Sequence, residues 1–277
     1  MDKYCPRDLR RTSVRGLIAS RTLLAHAHGQ HRRVNGVLNI AHRGASGHYP
    51  ENTLAAFAAA IELGVDMCEL DVHITRDGTA VVIHDATIDR TTDARGIVAA
   101  MRLAELQRTD AGIRFGRQFA GQRIPTLDEV IRLAAGRCGL NIELKGAGTE
   151  NATCQLIAAH DAIVTTLVSS FDWKMLERMR EIAPQVRLAL LAERHPQRLL
   201  ENALAMGAYA INPRVNMVDA DLCYAAHARG LKLHTWTCDD PRQMRRLIAD
   251  GVDGIMTNFP DRLKSVLMEN DGVKRRD

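Results

Sequence analysis

The stretch DMCELDVHIT, residues 66–75, sets two carboxylates inside a run that otherwise reads as a buried strand. Side chains alternate along a strand, so Glu69 and Asp71 share one face while Cys68, Leu70 and Val72 share the other. Two carboxylates on one side of a buried strand repel each other and lose hydration, a cost of several kcal/mol per ion unless something positive compensates. A divalent cation is the economical compensation; a solvated rim or an arginine partner is the alternative.

Around this stretch, from Val37 onward, short apolar runs alternate with helical patterns of period 3.6, as in parallel strands joined by crossover helices. Eight units are read, with strands at 37–41, 66–75, 139–144, 163–169, 186–191, 208–211, 231–236 and 254–257. Eight strand–helix repeats predict a (β/α)8 TIM barrel rather than a doubly wound sheet, which more commonly stops at five or six strands. Asn52 and Thr53 start a helix that Gly64 ends, Thr126-Leu-Asp-Glu129 forms a capping box, and Pro241 after Asp240 opens another helix. A small insertion separates the second and third barrel strands. There, residues 79–83 return as a hairpin arm after Arg76-Asp77-Gly78, and 85–125 form a long Gly-rich loop, helical only around 102–107. A loop of that length is expected to be a lid or rim of an active site.

The 277 residues divide into a basic N-terminal extension over 1–36, a barrel domain over 37–270 and a polar C-terminal tail over 271–277. The extension holds eight Lys/Arg against Asp2 and Asp8, so the formal +4 belongs to it and the remainder is at −2. A nucleic-acid partner is therefore not expected. No apolar stretch approaches the ~20 residues of a spanning helix, and the extension lacks a secretory core. Six scattered cysteines without a CxxC read as thiols in a reducing, cytoplasmic compartment rather than as a zinc site or disulfide framework.

In a (β/α)8 barrel the reacting groups sit at the C-terminal strand ends. His42-Arg43-Gly44 follows the first strand, Glu143-Leu144-Lys145 ends the third, and His84-Asp85 closes the hairpin arm. Glu143 adds a third oxygen ligand beside Glu69 and Asp71, and an all-oxygen set suits Mg2+ or Ca2+ over zinc. Taken alone, Glu143 with Lys145 reads equally well as a structural salt bridge. Arg43 offers a planar fork to a phosphate and Lys145 a point charge to a carboxylate or phosphate oxygen. His42 and His84 read as an acid/base pair, with Asp85 able to orient His84. Trp236, ending the seventh strand, either floors a substrate pocket or fills the barrel. His234, of the same parity, is read as structural. The whole set points to metal-assisted phosphodiester hydrolysis.

AHRGASGHYPENTLAAF from Ala41 and ELDVHITRDGTAVVIHDATIDRTTD from Glu69, followed by RIPTLDEV, NIELK, HTWTCDDP and GVDGIMTNFPD, resemble the glycerophosphodiester phosphodiesterase family, in its bacterial short-insertion form. The resemblance implies a TIM barrel that hydrolyses glycerophosphodiesters to sn-glycerol 3-phosphate and an alcohol. It further implies Glu69, Asp71 and Glu143 as ligands of a divalent cation, His42 and His84 as the acid/base pair and Arg43 on the phosphate. Glu51 and Asn52, in the PENT-like motif, take a supporting role. Three departures stand out: Cys238-Asp239 replaces an apolar-plus-Asn pair, Asn258 stands where Asp is common, and the basic extension has no counterpart in the pattern. The alternatives are a phospholipase D-like enzyme acting on lysolipids and a non-catalytic glycerophosphodiester-binding barrel. The first would favour an apolar rim, whereas 85–125 is largely polar; the second would lack a site residue, and all are present.

Overall fold

The computed structural model describes residues 36–274. Eight parallel strands close on themselves: β1 (Leu38–His42), β2 (Met67–Ile74), β4 (Gly139–Leu144), β5 (Thr166–Ser170), β6 (Arg187–Ala192), β7 (Ala210–Pro213), β8 (Lys232–Thr235) and β9 (Gly254–Thr257). Each pairs with its neighbour in sequence, β9 pairs with β1, and β1 with β2, which completes the expected (β/α)8 barrel. The short β3 (Ala80–Val82) is the hairpin arm, antiparallel to β2. The expected extension over 1–36 lies outside the described residues except for Gly36, as does the end of the expected tail.

The helices form where the caps predict. Helix α1 (Leu54–Leu63) begins at Thr53, whose hydroxyl accepts from Ala56 N, and ends at Gly64 in the left-handed region at φ 77°. Within the insertion lies the single turn α2 (Leu103–Leu106), and after it α3 (Leu127–Ala134) starts on the Thr126/Glu129 capping box. The ring continues with α4 (Thr149–Ala159), α5 (Trp173–Ile182), α6 (Pro196–Ala205), α7 (Ala220–His227), α8 (Pro241–Asp250) and α9 (Pro260–Lys274). Outward-facing Cys68, Leu70 and Val72 of β2 join Phe57 of α1 and Ile131 of α3 in the layer between barrel and helices. None of the described helices is long and apolar enough to cross a membrane.

Two local expectations shift. Residues 163–165 form a 3-10 turn rather than the start of β5: the Thr165 and Thr166 hydroxyls both donate to Ala162 O, at 3.1 and 2.8 Å, and divert the backbone from the ladder. The 85–125 insertion is more ordered than a bare loop. Val81, Ile83, Ile88, Val98, Leu106, Ala111 and Ile124 give it a hydrophobic core of its own, continuous with β3.

At the N-terminal end of the barrel, Asp253 accepts from Lys232 Nζ at 2.7 Å and from Leu233 N at 2.9 Å, with His227 Nε2 at 2.8 Å. Burial would raise this carboxyl, but these partners, Lys232 foremost, hold it below the usual range. A depressed folded-state pKa stabilises above the unfolded value and ceases to do so as pH falls through the folded one. Asp253→Asn is therefore expected to lose about 1 kcal/mol at pH 7, with the gap to wild type closing below about pH 4, measured by urea unfolding across pH.

Candidate active site

Strand register assembles the cluster that the sequence spreads over a hundred residues. His42 lies beside Glu69 across the β1–β2 ladder, and Asp71 lies beside Glu143 across β2–β4. One carboxylate oxygen from each of Glu69, Asp71 and Glu143 falls within 4.8 Å of the others, and all three residues are buried. The β1–α1 turn delivers Arg43, and Lys145 follows the end of β4. Arg43 and Asn52 adopt left-handed φ values of 56°, a backbone that non-glycine residues hold only where the surroundings enforce it. Gly44 follows at φ 81°, where an added Cβ would lie 2.6 Å from the Ala56 carbonyl carbon, so only glycine lets the turn pack on α1.

Arg43 donates its backbone N–H to Glu69 Oε2 at 3.0 Å and its Nη1 to Glu51 Oε1 at 2.9 Å, while its Nε lies 3.3 Å from Asp71 Oδ2. Asn52 Nδ2 donates to Asp71 Oδ2 at 2.8 Å. Lys145 Nζ donates to Glu143 Oε1 at 2.8 Å and lies 3.6 Å from Asp71 Oδ1. Two cations thus face three carboxylates. Asp71 receives most of the benefit: Arg43 first and then Lys145 overcome its burial and hold it below the usual carboxylate range. Burial, reinforced by the other carboxylates, pushes Glu69 well above that range, and burial with Asp71 brings Glu143 up to about 7. Asp71 Oδ1, although buried, has no hydrogen-bond partner. A set of hard oxygens short of positive charge, with one orphaned oxygen among them, fits a divalent cation.

The histidines flank this cluster. Burial lowers the His42 pKa to about 4, which keeps the ring neutral; its Nδ1 is 2.7 Å from Asn258 Oδ1 and its Nε2 is 4.0 Å from Glu69 Oε2. His84 Nδ1 is 2.7 Å from Asp85 Oδ1, which leaves Nε2 as the free nitrogen. Both rings line a cleft at the C-terminal strand ends, with Arg43, Glu69, Glu143, Lys145, Phe171 and Trp236. Trp236 walls this cleft, its Nε1 donating to Asn212 O at 2.8 Å and its ring edge-on to Phe171 at 5.3 Å. His234 is buried beside Gly254. Of the residues read as catalytic, metal-ligating or substrate-binding, His42, His84, Glu69, Glu143, Arg43, Lys145 and Trp236 line this cleft and Asp71 completes the carboxylate cluster; Glu51 and Asn52 hold Arg43 and Asp71.

Arg90, which the sequence does not announce, ties the set together. Its guanidinium donates to both oxygens of Glu51, at 2.7 and 2.8 Å, and to both of Asp85, at 2.8 and 3.1 Å. Arg90, ahead of His84, drives the Asp85 carboxyl far below its ordinary range. The insertion thereby acts as a rim, and one charged chain runs from Arg43 through Glu51, Arg90 and Asp85 to His84. Also unannounced is His73, whose Nε2 lies 3.1 Å from the His84 carbonyl oxygen. Two of the departures from the family pattern meet one another: Asn258 donates to Asp239 from its backbone N at 2.8 Å and from Nδ2 at 2.7 Å.

A barrel with this cleft defines a phosphoric diester hydrolase, and comparisons with known proteins agree. Residues 42–262 match the glycerophosphoryl diester phosphodiesterase family, and the chain belongs to it. A glycerophosphodiester phosphodiesterase of Caldanaerobacter subterraneus subsp. tengcongensis is 42% identical over 232 residues, which is 82% of this chain and 96% of the relative. An Oleispira antarctica phosphodiesterase, solved in complex with its product sn-glycerol-3-phosphate, superposes with a TM-score of 0.78 at 30% identity, covering 83% of this chain and 96% of that one. A glycerophosphodiester phosphodiesterase from Agrobacterium tumefaciens has a TM-score of 0.74 at 31% identity, covering 82% and 98% respectively.

Arg90 makes its contacts as a fork that lysine cannot reproduce. Arg90→Ala is expected to lower kcat for phosphodiester hydrolysis by about 10- to 100-fold, with Arg90→Lys recovering little of it. Steady-state kinetics beside a thermal melt check this; wild-type turnover in the alanine variant would remove Arg90 from the site.

Proposed function

We propose that this chain hydrolyses glycerophosphodiesters to sn-glycerol 3-phosphate and an alcohol, using a divalent cation, Mg2+ or Ca2+, held by Glu69, Asp71 and Glu143. The observation that carries this reading is the placement of His42 and His84 on one cleft with the three-carboxylate cluster. A cation bound there supplies Lewis-acid polarisation of the phosphoryl group. Arg43 and Lys145 hold phosphate oxygens, Arg43 by its fork and Lys145 as a point charge. Glu51 and Asn52 brace Arg43 and Asp71, so the phosphate meets a preorganised site.

One histidine takes the proton of the attacking oxygen and the other gives a proton to the leaving alkoxide; the attacking oxygen is a water, which yields glycerol 3-phosphate directly, or the substrate's glycerol 2-hydroxyl, which yields a cyclic phosphate that a water then opens. Each ring has its Nδ1 engaged, by Asn258 or by Asp85, so Nε2 is the working atom in both. Trp236 and Phe171 form the apolar wall against which the glycerol or alcohol moiety rests. The five free thiols among the described residues suit a reducing, cytoplasmic setting.

The test is release of glycerol 3-phosphate from glycerophosphocholine and glycerophosphoethanolamine, with a lysolipid in parallel. EDTA is expected to abolish release, and Mg2+ or Ca2+ to restore it. Full activity after exhaustive chelation would reject the carboxylate site, and turnover of the lysolipid alone would favour the phospholipase D-like reading. His42→Ala and His84→Ala are each expected to lower kcat by about 100-fold or more. Calorimetry should find cation binding intact in both, and weakened in Glu69→Gln.

A further inference from the structure

We infer that Asp239 is a positioning residue: acting through the Asn258 carboxamide, it fixes His42 as the tautomer with its proton on Nδ1 and leaves Nε2 bare toward the cleft. The catalytic consequence rests on the hydrolytic reading above; the tautomer itself does not.

The argument is one of donors and acceptors. A carboxamide has one accepting and one donating end, and its orientation follows from its partners. Asp239, as a carboxylate, only accepts. Its Oδ1 accepts from Asn258 N at 2.8 Å and from Thr257 Oγ1 at 2.9 Å, and its Oδ2 faces Asn258 Nδ2 at 2.7 Å. Thr257 Oγ1 itself accepts from Phe259 N at 3.0 Å, so its proton is free for Asp239. The amide of Asn258 must then turn its Nδ2 to Asp239 and its Oδ1 to His42. An oxygen 2.7 Å from His42 Nδ1 can only accept, so the ring proton sits on Nδ1. Ser46 Oγ lies 2.7 Å from His42 O and 2.9 Å from Asn258 Oδ1; its one proton can go to Asn258 Oδ1, or to His42 O while the oxygen accepts from an amide N–H, so it does not by itself fix the orientation. Asp239 therefore makes the choice.

In Asp239→Asn, Oδ1 keeps its two donors and the new Nδ2 confronts Asn258 Nδ2. Relief comes from turning the Asn258 amide, which sets Nδ2 against His42 Nδ1 and moves the ring proton to Nε2, the atom that faces the cleft. In the reciprocal pair Asp239→Asn with Asn258→Asp, the amide introduced by the first change donates to the carboxylate introduced by the second, whose other oxygen accepts from His42 Nδ1. That exchange restores the original tautomer.

The experiment uses the full chain with Mg2+, labelled with 15N-histidine, and long-range 1H–15N correlation to read both His42 nitrogens, assigned against His42→Ala. The wild type is expected to have a protonated Nδ1 and a bare Nε2, Asp239→Asn the reverse, and the reciprocal pair the wild-type pattern. With glycerophosphocholine, kcat is expected to fall about 100-fold or more in Asp239→Asn, with KM little changed, and to return to within about tenfold of wild type in the pair. An Nδ1 proton retained in Asp239→Asn, or a pair no better than that single variant, overturns the inference. Should Asp239→Asn not fold, Asn258→Ala replaces it: loss of the single fixed tautomer supports the inference and its retention overturns it. A wild-type chain that turns over no glycerophosphodiester would sink the hydrolytic reading, while the spectra still decide the tautomer.

Discussion

Everything in the cleft answers to the crowding of three carboxylates on the interior of two adjacent strands. Glu69, Asp71 and Glu143 are all buried, and their ligand oxygens lie within 4.8 Å of one another. Carboxylates packed this closely away from water would not all remain ionised without compensation. Arg43 and Lys145 supply part of it and spend most of it on Asp71, while Glu69 and Glu143 are driven upward by their burial. This imbalance leaves a cluster that could hold a cation, because a fully neutralised cluster would have no vacancy of charge to fill.

The same imbalance explains why the surrounding groups are so tightly tied. Arg43 touches all three of Glu51, Glu69 and Asp71, and can do so only because the β1–α1 turn holds it in the left-handed region, with Gly44 against α1. Glu51 in turn is gripped by Arg90 from the insertion. The insertion has its own hydrophobic core, so Arg90 is presented from an ordered platform rather than from a loose loop. His84, at the far end of that chain, is oriented by an acid whose own position is fixed by Arg90.

How much of this the sequence discloses depends on the range over which each interaction acts. The period of two in β2 is local, so the shared face of Glu69 and Asp71 is visible in six residues, and Thr126 with Glu129 predicts its capping box for the same reason. Glu143 is legible because barrel geometry demands that consecutive strands be neighbours, although its register against Asp71 is not. Arg90 is invisible: its two partners stand 39 and 5 residues away, in different loops, and no periodicity links them. The 3-10 turn at 163–165 escapes for another reason. Apolar Ile163 and Val164 look like strand, yet threonine hydroxyls bonded to Ala162 O decide the backbone.

Cys238-Asp239 and Asn258 look in the sequence like two unrelated departures from the family pattern, one altering pocket polarity and one removing a rim charge. In space they are one unit, since β8 and β9 are neighbours and their ends bring Asp239 against Asn258. The negative charge is not lost from the rim but stands one residue further from His42, with a neutral amide in between. A histidine backed by an amide feels the direction of a hydrogen bond without the full field of an adjacent carboxylate. His84, backed directly by Asp85, feels both. The two rings that flank one cleft are therefore supported by unlike partners, an asymmetry that would suit the acid/base pair proposed above, in which one ring takes a proton and the other gives one up.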